Sequence, residues 1–273
     1  MGDDVMNQAY VGQCAKERTE DTDIRVMSYN VLVDNDEENG GWRWGAPLAD
    51  RGDKASAAIG YYRPDVIGLQ ECNYNWHCSL RQHLPTYDFV NADVPIEQPL
   101  EKPESLGKKD WMCTTMMYNT ETLELVSNEL VGYSCNFWGC IQRMRYVSMA
   151  LFRVKSSGKT FAFISTHLDA ERSEGGAQMR RTQAVELAAC IRRYGETFGC
   201  PVISTADYNS TYADAPISIL RDTAGMDSCA ANREGIDYIL YSDGVNVKHF
   251  TVVEDADLQG ASDHNPIFAD MAL

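Results

Sequence analysis

The chain has 273 residues, 44% of them hydrophobic, which is enough to bury the core of one large α/β domain. Its 40 acidic and 24 basic residues give a net charge of −16, which opposes binding to duplex DNA unless a local basic path or bound cations intervene. No stretch approaches the about eighteen apolar residues of a transmembrane helix, and the acidic residues 1–23 lack the apolar core of a signal peptide. We expect a soluble monomer without a transmembrane segment, either cytoplasmic or secreted with its leader absent.

The predicted elements alternate between strands and helices along the chain. Residues 1–23 carry charge and little periodicity, so we predict a loose N-terminal arm. Runs rich in β-branched and aromatic residues, bounded by turn residues, predict the strands. These cover residues 24–33, 65–70, 87–91, 114–119, 123–127, 146–154, 160–166, 201–205, 236–241, 245–253 and a closing run from residue 267. Helical spacing predicts helices at residues 50–62, 73–84, 174–194 (closed by Gly195) and 217–223. Residues 97–110 have no period and predict a surface loop that walls a pocket.

Cysteine spacing bears on metal binding and on the compartment. Nine cysteines stand at positions 14, 72, 78, 113, 135, 140, 190, 200 and 229, and none forms a C-x-x-C pair. This argues against a zinc ribbon. Disulfides such as Cys72 with Cys78 or Cys135 with Cys140 would suit a protein outside the cytoplasm, and buried thiols explain the same residues equally well.

Chemically active residues stand at six of the predicted strand ends. They are Asn30, Glu71, His167, Asp207 with Asn209, Asp237, and Asp263 with His264. Oxygen ligands in such numbers suit Mg²⁺ or Mn²⁺ better than Zn²⁺, which takes more histidine or cysteine. Any one of these residues is also explained as a turn or cap residue, and Asn30 as a strand-end asparagine bonded to its own backbone. Their arrival together at strand ends predicts a metal-assisted active site.

Asp263 and His264 stand side by side ahead of the closing strand. A carboxylate can hold a metal or polarise a water, and a histidine, whose ordinary pKa lies near 6.5, can take a proton at neutral pH. The neighbouring Ser262, Asn265 and Pro266 are also typical of a tight turn. The pair alone therefore leaves a structural turn open as the alternative.

Six motifs in this order resemble those of the endonuclease/exonuclease/phosphatase superfamily, the deoxyribonuclease I-like fold. They are S-Y-N-V at 28–31, L-Q-E at 69–71, S-T-H-L-D at 165–169, A-D-Y-N at 206–209, I-D-Y-I at 236–239 and S-D-H-N-P at 262–266. The resemblance covers residues 24–273, which we predict to form a single catalytic domain. It implies an α/β, four-layer sandwich in which two packed mixed β-sheets are flanked by helices.

The resemblance also implies a phosphoesterase that depends on Mg²⁺ or Mn²⁺ and acts on a phosphate-ester substrate. Glu71 would be the main metal carboxylate, Asn30 a neighbouring ligand or water holder, and Asp263 a further ligand. Arg145, which precedes the strand at 146–154, is a candidate ligand for the substrate phosphate on the grounds of its charge.

The same resemblance implies roles in proton transfer and substrate binding. His264, oriented by Asp237, would be the general acid or base, and Asp207 would position or deprotonate the attacking water. Asn209 and His167 would bind the phosphoryl oxygens of the substrate as charge moves onto them. The choice between His264 and Asp207 as the base stays open.

Departures from the family pattern bear on the substrate. Ala206 stands where the family usually has glycine, and Leu32 where its abasic-site nucleases have aspartate. The motif G-W-R-W at 41–44 and the segment 166–169 are similar to segments found in three branches of the family. These branches are bacterial hydrolases of unsettled substrate, sphingomyelinases and deadenylase-like enzymes. We therefore expect a small or lipid-type phosphate, or single-stranded nucleic acid, in preference to duplex DNA.

Two other functions remain as alternatives. One is a catalytically inactive binding module on the same fold, although such a module has no chemical need for Glu71, Asp207 and His264 together. The other is a calcium-stabilised domain, suggested by the acidic run at 34–39. That run lacks the glycine and the later glutamate of an EF-hand loop, which argues against it.

Overall fold

The computed structural model describes residues 15–34, 48, 50–90, 114–135, 145–254 and 261–273. Over these ranges the strands are Ile24–Asn30 (β1), Val66–Gln70 (β2), Tyr87–Val90 (β3), Thr114–Asn119 (β4), Leu123–Gly132 (β5), Tyr146–Val154 (β6), Thr160–His167 (β7), Val202–Asp207 (β8), Asp237–Tyr241 (β9), Asn246–Val252 (β10) and Ile267–Ala272 (β11). The helices are Arg51–Tyr62 (α1), Tyr74–His83 (α2), Glu174–Phe198 (α3) and Ala215–Ala224 (α4), with a 3₁₀ turn at Ala230–Asn232.

The strands form two mixed sheets. The first has the order β10-β11-β1-β2-β4-β3, and the second has the order β5-β6-β7-β8-β9. β1 pairs with β2 in parallel through α1, and β7 pairs with β8 in parallel through α3, while the remaining pairs are antiparallel. Since parallel neighbours need a crossover connection, each α-helix of these two units lies on the outer face of its own sheet.

Three apolar clusters separate four layers. Alternate residues of each strand face opposite sides of the sheet, so one set packs between the sheets around Val26, Phe163 and Ile203. The other set packs outward. In the first sheet it packs against α1 and α2, including Trp76, and in the second against α3 and α4. The predicted four-layer α/β sandwich of two mixed sheets is thereby confirmed.

Helix α3 is longer than predicted. The sequence analysis placed its end before Gly195, but the helix continues to Phe198 and ends at Gly199, whose φ of 59° suits glycine. Gly195 instead lies where the helix packs closely on β8, because a Cβ there would come within 3.2 Å of Val202 Cγ2. The glycine therefore marks a close packing contact and not a helix end.

Two strand boundaries also differ from prediction. β1 ends at Asn30 instead of residue 33, since Leu32 adopts a φ of 57° and turns the chain. β5 runs to Gly132 instead of residue 127, because it continues to pair with β6 beyond a bulge between Leu125 and Ser127. The part of β5 beyond residue 127 is half-buried or exposed, as is common for an edge strand, and Asn128 and Glu129 interrupt the apolar pattern on which the prediction relied.

The segment before β1 contacts the body of the protein. The buried Arg25 guanidinium donates to Lys16 O at 3.1 Å and to Glu17 O at 2.8 Å, and it pairs with Asp270 at 2.6 Å. Thr19 N donates to the same Asp270 carboxylate at 2.9 Å. The proposed division into an arm (1–23) and one catalytic domain (24–273) stays a prediction.

Several predictions concern other parts of the chain. The pocket wall at 97–110, the aromatic motif at 41–44 and residues 35–39 of the acidic run lie outside the described ranges. Cys72 and Cys78 are both thiols, so the disulfide considered for this pair is wrong, and Cys140 is outside the described residues. Within the described ranges, no helix is both long and apolar enough to cross a membrane.

Candidate active site

The two sheets bring their functional strand ends to one edge of the sandwich. The carboxyl ends of β1 and β2 lie in one sheet, and those of β7 and β8 in the other. β9 is antiparallel to β8, so it begins there, with Asp237 opposite Asp207. β11 is antiparallel to β1, which places the residues that precede it beside Asn30. Topology therefore explains how residues so distant in sequence meet.

Asn30 links carboxylates of both sheets. Its buried Nδ2 donates to Glu71 Oε1 at 3.2 Å and to Asp207 Oδ2 at 3.1 Å. Its Oδ1 accepts from Leu32 N at 3.0 Å, which fixes the orientation of the amide. The structure thus places Asn30 and Glu71 together, as predicted for a metal site.

Glu71 occupies an unusual backbone conformation directly after β2. Its φ is 60°, a left-handed value that costs free energy for a residue with a Cβ and is often found at functional sites. Its Oε2 accepts from Val33 N at 3.0 Å, so the carboxylate is held from the loop that follows β1. Both contacts of the carboxylate are with N–H donors, which leaves oxygen lone pairs for a cation.

His264 and Asp237 form a close pair. His264 Nδ1 donates to Asp237 Oδ2 at 2.7 Å, and the opposite ring nitrogen, Nε2, lies 3.7 Å from Asp207 Oδ2. Burial by itself would lower the pKa of His264, but the hydrogen bond and charge of Asp237, with the charges of Asp207 and Asp263, raise this pKa to about 9. At neutral pH the ring is an imidazolium.

Asp207 is the buried carboxylate of the site. Burial, followed by the negative charge of Asp237, raises the pKa of Asp207 to about 7, against the opposing effects of His264 and of two hydrogen bonds. Those bonds come from Asn209 N to Oδ1 at 2.8 Å and from Asn30 Nδ2 to Oδ2. Its pKa is therefore suited to proton transfer near neutral pH.

His167 and Asn209 lie together on the second sheet. Asn209 Nδ2 is 3.1 Å from His167 Nε2, and it also donates to Leu168 O at 3.1 Å. Burial, with the positive charges of Arg145 and His264, holds the pKa of His167 well below its usual range. His167 is therefore a neutral hydrogen-bonding group, and Arg145 lies close enough to it to act through its charge.

Asp263 differs from the other predicted ligands because it is exposed. Its negative charge acts on His264 and on the buried Arg51. The structure thus places it at the rim of the site, beside the histidine it precedes.

Arg51 and Ser262 were not assigned a role from the sequence. Arg51 is only 4% exposed, and its guanidinium donates to Val31 O at 3.1 Å, Leu32 O at 3.0 Å and Ala261 O at 3.1 Å. It thereby ties the loop after β1 to the loop that carries His264. Ser262 Oγ donates to Asn30 O at 2.6 Å and accepts from His264 N at 3.1 Å. An arginine on the otherwise apolar stripe of α1 is the signal that would have identified Arg51.

The donor set fits a divalent cation. Asn30 joins the Glu71 carboxylate to that of Asp207, and carboxylate oxygens of Asp207 and Asp237 lie within 4.8 Å of each other, so three carboxylates meet at one edge. The Asp237 Oδ1 atom is buried with no hydrogen-bond partner among the described residues. Hard oxygen donors crowded in this way are the ligands that Mg²⁺ and Mn²⁺ prefer.

The two packed sheets, with a histidine and several carboxylates at one shared edge, place the chain in the class of α/β sandwich proteins. The chain belongs to the endonuclease/exonuclease/phosphatase family, whose model matches residues 27–264, and the resemblance inferred from its motifs is confirmed. Members of this family are phosphoesterase hydrolases. No curated protein matches the chain.

Several solved structures share the fold. An endonuclease/exonuclease/phosphatase from Bacteroides vulgatus is 23% identical, with a TM-score of 0.68 over 92% of this chain and 98% of that one. A mannosyl-6-phosphatase from Bacteroides thetaiotaomicron VPI-5482 is 19% identical, with a TM-score of 0.72 over 92% and 100%. The catalytic domain of human nocturnin with bound sulfate is 19% identical, with a TM-score of 0.70 over 93% and 96%. At these identities the likeness is one of fold.

Proposed function

We propose that this protein is a Mg²⁺- or Mn²⁺-dependent phosphoesterase that hydrolyses a phosphodiester or phosphomonoester. The observation that carries the proposal is the arrangement of His264 between Asp237, at 2.7 Å, and Asp207, at 3.7 Å. Asn30 joins the same Asp207 to Glu71. Groups suited to donate a proton, to accept one and to bind a cation thus lie together at one edge of the sandwich, which supports the proposal.

Glu71 and Asp263 would hold the cation in this proposal. Asn30 was expected to be a neighbouring ligand or a water holder, and it would serve as the second, because its Nδ2 and not its oxygen faces Glu71. When bound, the cation supplies positive charge that polarises the phosphoryl group. The left-handed backbone of Glu71 and its contact with Val33 N support the assignment, because they aim its carboxylate toward Asn30. Asp263 has a weaker structural basis, its exposed position at the rim beside His264.

The pKa values support a division of labour in proton transfer. His264, with its pKa raised to about 9, is protonated at neutral pH and would donate a proton to the leaving oxygen. Asp207, with its pKa raised to about 7, would accept a proton from the attacking water. Asp237 holds Nδ1 of the ring, so that Nε2, which lies 3.7 Å from Asp207 Oδ2, would be the atom that donates the proton.

The second sheet would bind the phosphoryl oxygens. Asn209 contributes its amide and the neutral His167 an uncharged ring, and both would stabilise charge that develops on those oxygens. Arg145 would add a positive charge at the side of His167.

For the substrate we propose a small or lipid-type phosphate, or single-stranded nucleic acid. A net charge of −16 disfavours the closely spaced phosphates of duplex DNA at physiological salt. The fold neighbours include a mannosyl-6-phosphatase, which adds a sugar 6-phosphate to the candidates for testing.

The test is a substrate panel measured with Mg²⁺, with Mn²⁺ and with excess EDTA. It includes bis-p-nitrophenyl phosphate, a sugar 6-phosphate, inositol phosphates, sphingomyelin, single-stranded RNA and plasmid DNA. We expect turnover with a cation, none in EDTA, and little action on plasmid DNA. The variant His264→Ala should be nearly inactive, whereas His249→Ala, at an exposed histidine of β10, should match the wild type. Full activity in EDTA would refute the metal dependence, and a folded protein inactive on every substrate would favour the inactive binding module.

A further inference from the structure

On the inner faces of the two sheets, the side chains change from apolar to polar, row by row, toward the active site. Along each strand, every second residue faces the opposite sheet, so neighbouring strands form successive rows. The row farthest from the site is apolar and the row at the site is polar. The row between them, here called the middle row, consists of Ser28 on β1, Gly68 on β2, Ser165 on β7 and Thr205 on β8.

At Gly68 of the middle row, side chains of the second sheet lie close to the backbone of the first sheet. A Cβ on Gly68 would lie 1.9 Å from Thr205 Oγ1 and 2.9 Å from Ser165 Oγ. Both hydroxyl groups of the second sheet therefore point at the first sheet. Ser28 is the register partner of Gly68 on β1, so its hydroxyl belongs to the same small region.

Gln70 closes this region on the side of the active site. It follows Gly68 on the same face of β2 and lies in register with Asn30 on one side and with Thr114 on the other. The residue is 0% exposed. Its side chain is therefore enclosed between the sheets, on the strand next to the asparagine that links Glu71 and Asp207.

Four polar atoms in this region lack a hydrogen-bond partner within the part of the chain that the structure describes. They are Gln70 Nε2, Gln70 Oε1, Ser28 Oγ and Ser165 Oγ. Two other buried hydroxyls nearby have protein partners, since Ser148 Oγ donates to Thr114 O at 3.2 Å and Thr205 Oγ1 to Ile164 O at 3.4 Å. Buried polar groups in folded proteins are almost always bonded to protein or to ordered water.

We propose that Gln70, Ser28 and Ser165 form a binding site for internal water, about one or two molecules, between the two sheets. Buried water typically makes about three hydrogen bonds and needs both donors and acceptors around it. The Gln70 amide supplies one of each, and the hydroxyls supply either. The site carries no charge of its own, which suits water better than an ion. The bound water would form the floor of the active site behind Asn30.

The test counts long-lived water by ¹⁷O magnetic relaxation dispersion on the metal-free protein without substrate. The variant Gln70→Met keeps the length of the side chain and removes its polar atoms, so it should lose about one or two long-lived water molecules relative to wild type. Ser165→Ala, a smaller change, should lose part of the same signal. Ser148→Ala is the matched control, because its hydroxyl has a protein partner, and it should leave the count unchanged.

Equal counts in wild type, Gln70→Met and Ser165→Ala would overturn the proposal. So would a high-resolution crystal structure in which the Gln70 amide bonds directly to Ser28 and Ser165 with no water between them. Circular dichroism confirms that each variant is folded, and Ser165→Ala decides the question if Gln70→Met is not. Because no step requires turnover, failure here is distinct from failure of the phosphoesterase proposal.

Discussion

Replacement of Asp207 by asparagine should stabilise the protein at pH 8 while it removes most of the activity. The carboxylate is buried, and burial with the charge of Asp237 raises its pKa from the ordinary 3.8 to about 7. A raised pKa means that the contribution of this group to stability is fully present below pH 3.8 and is lost as the pH rises to about 7. The asparagine side chain does not ionise, so the variant escapes this loss.

The size of the effect follows from the same shift. With the pKa of Asp207 raised from 3.8 to about 7, the unfolding free energy of the wild type falls by about 4 kcal/mol as the pH rises between these two values. The substitution also costs about one hydrogen bond, because the new amide cannot accept from both Asn30 Nδ2 and Asn209 N, and it removes the attraction to His264. We expect a net gain of about 2 kcal/mol at pH 8, equivalent to about 5 °C in Tm, and no gain at pH 4.

The assay is thermal unfolding of wild type and Asp207→Asn between pH 4 and pH 8, in EDTA so that no cation stabilises the carboxylate. Asp243→Asn, at an exposed position after β9, is the matched control and should leave the Tm at every pH unchanged. A difference in Tm that is the same at pH 4 and pH 8, or a variant that is less stable than wild type at pH 8, would refute the reasoning. The kcat of the variant should fall on the order of 10²-fold or more.

Three further substitutions probe the rest of the site. Glu71→Gln should shift the Mg²⁺ activation curve to a concentration about tenfold higher or more, because losing even a residue that only orients a metal ligand lowers metal affinity by about that factor. An unchanged curve would show that Glu71 is not part of the metal site. His264→Ala should lower kcat on the order of 10²-fold or more, and Asp237→Asn should cause a large share of that loss. The double variant should be little worse than His264→Ala. If the two losses multiply in the double variant, the two residues act separately. Arg51→Met should lower the unfolding free energy by about 3 kcal/mol and weaken Mg²⁺ activation, because the carbonyl groups of Val31, Val33 and Ala261 lose the arginine as donor. Both effects are measurable on the same preparation, and Mg²⁺ activation equal to wild type would limit Arg51 to a role in stability.

Strand ends were the most predictable part of this protein. Apolar runs located the buried strands, and the polar residue at the end or the start of each run could be read directly from the sequence. Glu71 directly follows β2, and Asp237 is the first residue of β9. Two βαβ units then bring the carboxyl ends of parallel strands to the same edge. Because both signals are local, the fold class and the grouping of polar side chains at strand ends follow from the sequence with its family resemblance, whereas their catalytic roles stay predictions.

Contacts between distant segments were not predictable in the same way. Arg51 reaches Ala261 across 210 residues, and neither segment carries a pattern that specifies the other. Gly195 was taken as a helix end because glycine commonly has that role, whereas its actual cause is the proximity of Val202, which depends on how α3 packs on β8. Packing between layers determines the role of such residues, and the sequence pattern of a single segment carries no information about that packing.

Asn30 shows how a structural and a functional role can coincide in one side chain. A strand-end asparagine bonded to its own backbone was the alternative to a functional residue, and its Oδ1 does accept from Leu32 N. That bond fixes which way the amide faces, so Nδ2 has to point at Glu71 and Asp207. An aspartate in this place could make the backbone bond equally well, but it would set a third negative charge against two carboxylates. The amide is therefore required by the carboxylates it joins, and the local turn is the means by which the chain orients it.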